Sequence, residues 1–268
     1  MAAVTVLGAR GFVGTRLCER LRAAGLEPFC PDKGDPALFE RDLGVVYDCA
    51  GLTADYAVRP FDTVEAHATL KAQVAQRGRF ERLIVLSSTR LYDSAATEGL
   101  VRADAPLVLD PAEPRHVYDL SKALGENIAL TQTGGRGSVA RLSNVFDWTP
   151  GAPGFLSEWL ARAASEKAFT LASSPAVARD YIHLDDVVDA LIAMAAAERP
   201  GIVNVASGEL IDNSQIAAVF GQAGWRVDFS GEAQPRPPPC ADVAKLRSLG
   251  VDPRPALGVI ASYLESLA

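Results

Sequence analysis

The order of apolar and polar positions divides the chain into two alternating kinds of element. Short apolar runs recur, as strands buried on both faces do. Between them apolar residues return every three or four positions, as on one face of a helix. Val4–Leu7, Glu27–Cys30, Val45–Cys49, Leu83–Leu86, Ser138–Leu142 and Ile202–Val205 are predicted strands. Thr15–Ala24, Thr63–Arg77, His116–Thr131 and a helix capped by Asp185 and running to Glu198 are predicted helices. Gly25 and Gly78 stop the first two helices. Such alternation is that of parallel βαβ units, so the expected fold class is α/β, a doubly wound parallel sheet.

After Asn144 the pattern changes. Pro150–Gly154 reads as a loop, Phe155–Lys167 and Asn213–Gln222 as helices, and Trp225–Phe229 as a strand. Pro235–Pro239 reads as a rigid connector, followed by two short helices within Ala241–Leu249 and Pro255–Leu267. The late segments are too small to fold alone. They are expected to cover the carboxyl edge of the sheet, where open α/β folds bind ligands. Residues 1–143 with 180–206 are thus the expected main domain, and 144–179 with 207–268 a smaller portion beside it.

Composition narrows the class. With 268 residues, and about 150 per domain, one large domain or two sharing a core are expected. Hydrophobic residues at 49% and charged residues at 22% exclude a disordered, collagen-like or coiled-coil chain. The longest apolar run, Ala190–Ala197, is too short to span a bilayer and is flanked by Asp189 and Glu198, so no membrane partner is expected. A net charge of −7 without a basic stripe argues against nucleic acid. The opening Met1-Ala2-Ala3-Val4 has no basic region or cleavage site, which predicts no secretory signal. Cys18, Cys30, Cys49 and Cys240 are dispersed, which predicts no metal site, no disulfide framework and a cytoplasmic location.

Two constellations carry candidate chemistry. The first is Gly8-Ala9-Arg10-Gly11-Phe12-Val13-Gly14, which follows a strand and opens a helix. Glycines at 8, 11 and 14 let backbone approach a pyrophosphate, whose charge then meets a helix N-terminus. Asp32, at the end of the second predicted strand, can accept both ribose hydroxyls of an adenosine, which favours NAD. Its bland alternative is a solvated loop Asp. Arg10 and Lys33 favour NADP instead, because a cation there can neutralise a 2′-phosphate.

The second is Tyr118-Asp119-Leu120-Ser121-Lys122, with Tyr and Lys four apart on one helix face. A nearby ammonium stabilises tyrosinate, so the phenol can serve as acid/base closer to neutral pH. Alone, such a spacing is more often a surface pair. Upstream, Ser87-Ser88-Thr89-Arg90-Leu91-Tyr92 follows a strand and offers a hydroxyl to an oxygen that changes charge.

The glycine turn, the Ser-Ser-Thr-x-x-Tyr segment and Tyr-x-x-x-Lys, in this order, resemble the extended short-chain dehydrogenase/reductases. More narrowly they resemble the NAD-dependent epimerase/dehydratase group acting on nucleotide sugars. Ala50-Gly51-Leu52 is similar to the family's segment under the nicotinamide half of the cofactor. Arg141-Leu142-Ser143-Asn144 and Arg179-Asp180-Tyr181-Ile182-His183-Leu184-Asp185-Asp186 resemble motifs whose Asn and Arg reach a substrate diphosphate. Asn204-Val205-Ala206-Ser207-Gly208 resembles a late strand end. The resemblance implies a Rossmann-type sheet with a small substrate-binding α/β portion. It implies Tyr118 as acid/base, Lys122 as orienting the nicotinamide ribose while lowering the tyrosine pKa, and Ser88 as catalytic hydroxyl with Thr89 as fallback. It also implies Gly8, Arg10, Gly11, Phe12, Val13, Gly14, Asp32, Ala50, Gly51 and Lys122 around NAD or NADP, and Ser88, Asn144 and Arg179 on the substrate. A homodimer through Thr63–Arg77 and His116–Thr131 is implied as well.

The chain also departs from that pattern. Lys33–Gly44 is too short for the usual helix, third strand and adenine-side Asp, so a strand is expected to be missing. His67 stands where Asn is usual, Asp48 replaces a common His, and Asp93 replaces Gly. The C-terminal substrate portion is shorter than is usual in the family. Thr89 and Arg90 occupy the positions of the acid pair that sugar dehydratases use, which disfavours dehydration. The leading expectation is a nucleotide-sugar epimerase that oxidises its substrate to a keto-sugar and re-reduces it. The alternatives are an NADPH-dependent keto-sugar reductase and a non-catalytic cofactor-binding scaffold.

Overall fold

The computed structural model describes residues 3–52, 55–94, 99–231 and 236–267. Strand β1 (Val4–Leu7) turns through the glycines into α1 (Phe12–Ala23). After β2 (Val45–Asp48) comes one long helical run: α2 (Pro60–Val64), a π turn (Glu65–Thr69) and α3 (Leu70–Arg77). Then follow β3 (Arg82–Ser88), a 3-10 turn (Thr89–Tyr92), β4 (Leu100–Val101), α4 (His116–Thr131) and β5 (Gly137–Leu142). The second half contains β6 (Asn144–Phe146), α5 (Phe155–Ala163), β7 (Ala168–Leu171), β8 (Ala178–His183), α6 (Leu184–Ala196) and β9 (Ile202–Val205). It ends with β10 (Leu210–Asp212), α7 (Asn213–Gln222), β11 (Arg226–Phe229), β12 (Cys240–Ala241), α8 (Ala244–Ser248) and α9 (Ala256–Ser266).

The central sheet is parallel, in the order β1-β2-β3-β5-β9. Successive side chains of a strand point to opposite faces, so each face buries its own set. Ile84 and Leu86 join Leu17, Leu21, Val187 and Leu191 under α1 and α6. Leu83 and Val85 join Val74, Ala129 and Val139 under α3 and α4. Helices on both faces of a parallel sheet make this a doubly wound α/β fold, as expected. A third cluster, around Trp159, Phe169, Phe220, Trp225 and Ile260, is built from α5, β7, α7 and α9. Ala241, Val243 and Leu246 pack instead against the larger core. Among the described residues, no helix is long and apolar enough to cross a membrane.

Several expectations are corrected. Glu27–Cys30 does not form a strand; Phe29 makes a single bridge to Thr5 beside β1. Pro28 and Pro31 flank that bridge and have no N–H to extend a ladder. Beyond it lie a 3-10 turn, Pro36–Phe39, capped by Asp35, and a single bridge from Asp42 to Arg79, so the expected loss of a third strand is seen. Asp185 does not cap α6. His183 does, accepting from the Asp185 N–H, because β8 runs straight to the helix start. Helix α1 begins at Phe12 because Gly11, in an extended conformation, serves as its N-cap. Met1, Ala2 and Pro235 lie outside the described residues. Arg236–Pro239 lead without regular structure into β12, which pairs with β4.

Close approach at Gly125 locks α4 against the π turn. A Cβ there would sit 2.1 Å from the His67 carbonyl oxygen and 2.9 Å from Lys71 Cδ. The first contact is with backbone, which cannot swing aside. Gly125→Ala is expected to destabilise the protein by about 2–3 kcal/mol, read from urea unfolding; an unchanged midpoint would refute this contact.

Candidate active site

The glycine turn brings three backbones together. Gly8 has φ +71°, in the left-handed region, and a Cβ there would lie 2.7 Å from Ala50 N. At Gly14 a Cβ would lie 2.3 Å from the Gly8 oxygen, and Gly11 N–H donates to that same oxygen at 2.9 Å. Helix α1 therefore starts beside β1 and the end of β2. Its N-cap Gly11 supplies no side chain, and its first turn has no acidic residue. Phe12 and Val13 open the helix, whose first N–H groups are thus available to an anion. These features fit a dinucleotide pyrophosphate.

Asp32 and Arg10 meet each other across this turn. Their side chains pair at 2.6 Å, and at 72% and 85% exposure both remain accessible. The carboxylate can receive ribose hydroxyls, and the guanidinium can face a 2′-phosphate. Lys33 is paired with Glu65 at 2.8 Å and so points toward the π turn.

Tyr118 and Lys122 lie on the buried face of α4, at the carboxyl ends of β2 and β3. Lys122 Nζ donates to the Leu86 carbonyl at 3.0 Å and lies 5.8 Å from the Tyr118 ring centre. Gly51 sits directly over this group. A Cβ at Gly51 would come within 3.1 Å of His67 Nε2 and 3.3 Å of Lys122 Nζ. Ser88 ends β3, and its Oγ accepts from Arg90 N–H at 3.2 Å, capping the 3-10 turn. Thr89 is turned away, its hydroxyl donating to the Leu142 carbonyl at 3.4 Å. Of the two, Ser88 is the hydroxyl beside Tyr118.

Electrostatics follow from burial. It pushes the Tyr118 phenol above its ordinary value; the Ser88 hydrogen bond and the Arg90 charge oppose it. Burial, then repulsion from Lys71, pushes Lys122 down to about 7. Lys71 itself is buried and pairs with Asp48 at 2.9 Å. His67 is held neutral by burial and by the Lys122 and Lys71 cations, with its pKa near 2. Its Nε2 accepts from Leu52 N–H at 3.2 Å, which leaves Nδ1–H to donate to Ser121 Oγ at 2.9 Å. Ser121 in turn donates to the Tyr118 carbonyl at 2.8 Å.

The expected diphosphate residues lie on the neighbouring β6 and β8. Asn144 is exposed on β6, its Nδ2 donating to the Asp180 carbonyl at 3.0 Å. Arg179, on β8, lies 5.4 Å from the Phe155 ring centre with its guanidinium beside the Tyr181 side chain, and among the described residues its buried Nη1 makes no hydrogen bond. That free donor is available to an anion. Its neighbour Asp180 accepts from Ser207 and Gly208 N–H, both at 2.8 Å, and so ties the two late motifs together.

The match to known proteins is consistent along the chain. The model of the NAD dependent epimerase/dehydratase family matches residues 4–206. The chain belongs to that family. It is an enzyme of the extended short-chain dehydrogenase/reductase type. A dTDP-6-deoxy-L-talose 4-dehydrogenase (NAD(P)(+)) from Kitasatospora kifunensis is 32% identical over 247 residues, 77% of this chain and 74% of its own. MoeE5 in complex with UDP-glucose and NAD has a TM-score of 0.79 at 22% identity, covering 99% of this chain and 100% of its own. UDP-glucuronic acid 4-epimerase from Bacillus cereus in complex with NAD has a TM-score of 0.80 at 16% identity, covering 99% and 96%. These two structures share the Rossmann-type fold.

Several residues around Tyr118 had no sequence signal. Lys71 reads as a solvated helix charge until Asp48 is seen opposite it. Tyr56, 5.3 Å from the Tyr118 ring centre, stands in a segment without periodicity. His67, the departure noted in the sequence, is bonded through both ring nitrogens. Its protonation is linked to stability. The unfolded chain binds a proton below about pH 6.5, whereas the folded chain does so only near 2. Stability from this group is therefore present above 6.5 and lost as pH falls toward 2. In urea unfolding from about pH 7 to about pH 5, His67→Gln is expected to lose stability less steeply than the parent; parallel slopes would contradict a neutral buried ring.

Proposed function

We propose that this protein interconverts a hydroxyl and a keto group on a nucleotide-linked sugar. The observation that carries this reading is that Ser88 and Lys122 both lie beside Tyr118, with Gly51 against Lys122 Nζ, next to a glycine turn suited to a pyrophosphate. Gly8, Gly11 and Gly14, with Phe12 and Val13 at the helix start, would hold the dinucleotide, Ala50 and Gly51 would underlie its nicotinamide half, and Lys122 would face its ribose. When bound, the nicotinamide accepts or returns the hydride. Tyr118 takes the hydroxyl proton of the sugar as its carbon is oxidised, and returns it on reduction. Ser88 donates to the same oxygen and steadies its changing charge. The unpaired Arg179 donor, with Asn144 nearby, would take the substrate diphosphate. No acid pair follows Ser88, so loss of water is not supported.

Two readings share this chemistry. The dehydrogenase or reductase reading is favoured by the open adenine side, where the exposed Arg10–Asp32 pair leaves NAD and NADP both admissible as exchangeable co-substrates. The dTDP-sugar dehydrogenase relative points the same way. The epimerase reading requires NAD to stay bound through both half-reactions. Mass spectrometry of nucleotide released on heating separates them: little or no nucleotide is expected, with NADPH consumed against nucleotide-linked keto-sugars. Near-stoichiometric NAD would favour the epimerase. Tyr118→Phe is expected to lower kcat about 100-fold or more in either case. Full activity in that variant would overturn the assignment of Tyr118.

A homodimer is proposed on α2 and α4. Phe61, Val58 and Leu124 are 89%, 80% and 51% exposed on that side, an apolar group unsuited to water. Phe61→Glu is expected to convert a dimer into a monomer in light scattering. A parent protein that is already monomeric would refute the interface.

A further inference from the structure

Two of the four cysteines meet in the fold. Cys18 and Cys30 are 12 positions apart in sequence, and their sulfurs lie 3.6 Å from each other. Cys18 sits on the inner face of α1, buried in the core with Leu17, Leu21, Val4 and Val6. Cys30 is only partly buried and packs on the same core from the segment beside β1. Among the described residues, no such contact joins Cys49 or Cys240 to another sulfur. The chemistry that two adjacent thiols share is oxidation to a disulfide. Bonded sulfurs are about 2.05 Å apart, so closure asks for a shift of about 1.5 Å.

The place of the pair gives that bond a consequence. Where a full strand would grip β1, Phe29 makes one bridge, donating to the Val4 carbonyl at 2.8 Å and accepting from Val6 N–H at 2.9 Å. Residues 30–35 are in neither helix nor strand. Asp32 follows Cys30 by two residues and reaches out to the exposed Arg10.

We propose that Cys18 and Cys30 are a reversible disulfide site, whose closure staples the segment carrying Asp32 to α1 and so tightens dinucleotide binding. The effect on the dinucleotide rests on the reading of Asp32 as the ribose acceptor; the bond itself does not. Ordering that segment before the dinucleotide arrives removes part of the cost of binding.

Exposure sets the order of events. Cys30 is the sulfur within reach of solvent, whereas burial and the neighbouring Cys30 push the Cys18 thiol up to about 12 and keep it protonated. The oxidant is a small-molecule disulfide, RSSR, of the glutathione class. The Cys30 thiolate attacks one of its sulfurs, the RS–SR bond breaks and one thiolate leaves. The Cys18 sulfur then attacks the Cys30 sulfur, displaces the second thiolate and gives up its proton. Two electrons pass from the pair to RSSR, and the two cysteine protons end on two RSH. A reducing thiol pool reverses these steps, so the bond answers to redox conditions and is no fixed framework.

The test exposes the intact protein to oxidised glutathione, quenches by alkylation in urea and digests with trypsin without reduction. Two of the four thiols are expected to disappear, with residues 17–20 joined to residues 23–33. Dithiothreitol should restore all four. Cys30→Ser should abolish the cross-link, and Cys240→Ser should leave it. The oxidised protein should unfold at higher urea, and calorimetry should show it binding NAD about threefold more tightly than the reduced protein. Glutathione held on Cys30 with Cys18 still free, or a cross-link of Cys18 to Cys49, overturns the disulfide site. Equal NAD affinity in the oxidised and reduced protein overturns the effect of the staple on binding. Asp32→Ala in the reduced protein separates the two readings. Unchanged NAD affinity there would defeat the reading of Asp32, while the peptide map still reports on the cysteine pair.

Discussion

Burying charge at the carboxyl ends of the central strands is the constraint from which the site's properties follow. Asp48 meets Lys71 at 2.9 Å, and Glu126 grips Arg141 with two hydrogen bonds, at 2.6 and 2.8 Å. Removing one partner of such a pair strands the other charge and typically costs about 3–5 kcal/mol. Each pair is neutral as a unit. Lys122 lies near both yet owns neither carboxylate, so burial and Lys71 dominate and its proton is loosely held near pH 7. Burial, and then the same cations, keep the His67 ring uncharged. A buried amine and a buried imidazole, both ready to be neutral, are the consequence of carboxylates that are already taken.

Those charges can be buried together only because backbones approach closely around them. The π turn carries His67 inward, and Lys71, four residues on, follows on the same side. Gly125 lets α4 press onto that turn, and Gly51 leaves room for His67 Nε2 and Lys122 Nζ beneath it. One unbranched hydrogen-bond chain then runs from Leu52 through His67 and Ser121 to the Tyr118 carbonyl. It ties the loop under the proposed nicotinamide position to the helix that carries the phenol. Local irregularity of this kind, a π turn within a helix, is frequent where side chains must be re-aimed.

What was legible in the sequence followed periodicity and what was not followed pairing at a distance. The strands of the central sheet and the whole of α4 announce themselves as apolar runs and a helical face. The glycine turn is readable because only glycine tolerates φ +71° with Ala50 so near. By contrast, β4, β6, β10 and β12 are two or three residues long and exist through partners remote in sequence. Glu27–Cys30 looked like a strand by its apolar content, but two prolines limit it to one bridge. Lys71 is the sharper case. A lysine in a helix reads as solvated, and only the fold brings Asp48 to it.

Several residues that travel with the site motifs are struts for it. Arg141 donates to the Tyr92 hydroxyl at 2.7 Å as well as to Glu126, and Tyr92 donates to Asn204 Oδ1 at 2.7 Å. Asn204 reaches the carbonyls of Val101 and Asp242, at 3.1 and 3.0 Å. The turn that begins with Ser88 and carries Arg90 therefore ends at a buried phenol bonded to side chains of β5 and β9 and, through Arg141, linked to Glu126 of α4. A site held to fractions of an ångström needs such support, since loop residues without it wander. The spacing from Ser88 to Tyr92 is, on this view, the length of one 3-10 turn between a hydroxyl that must face Tyr118 and an anchor that must not.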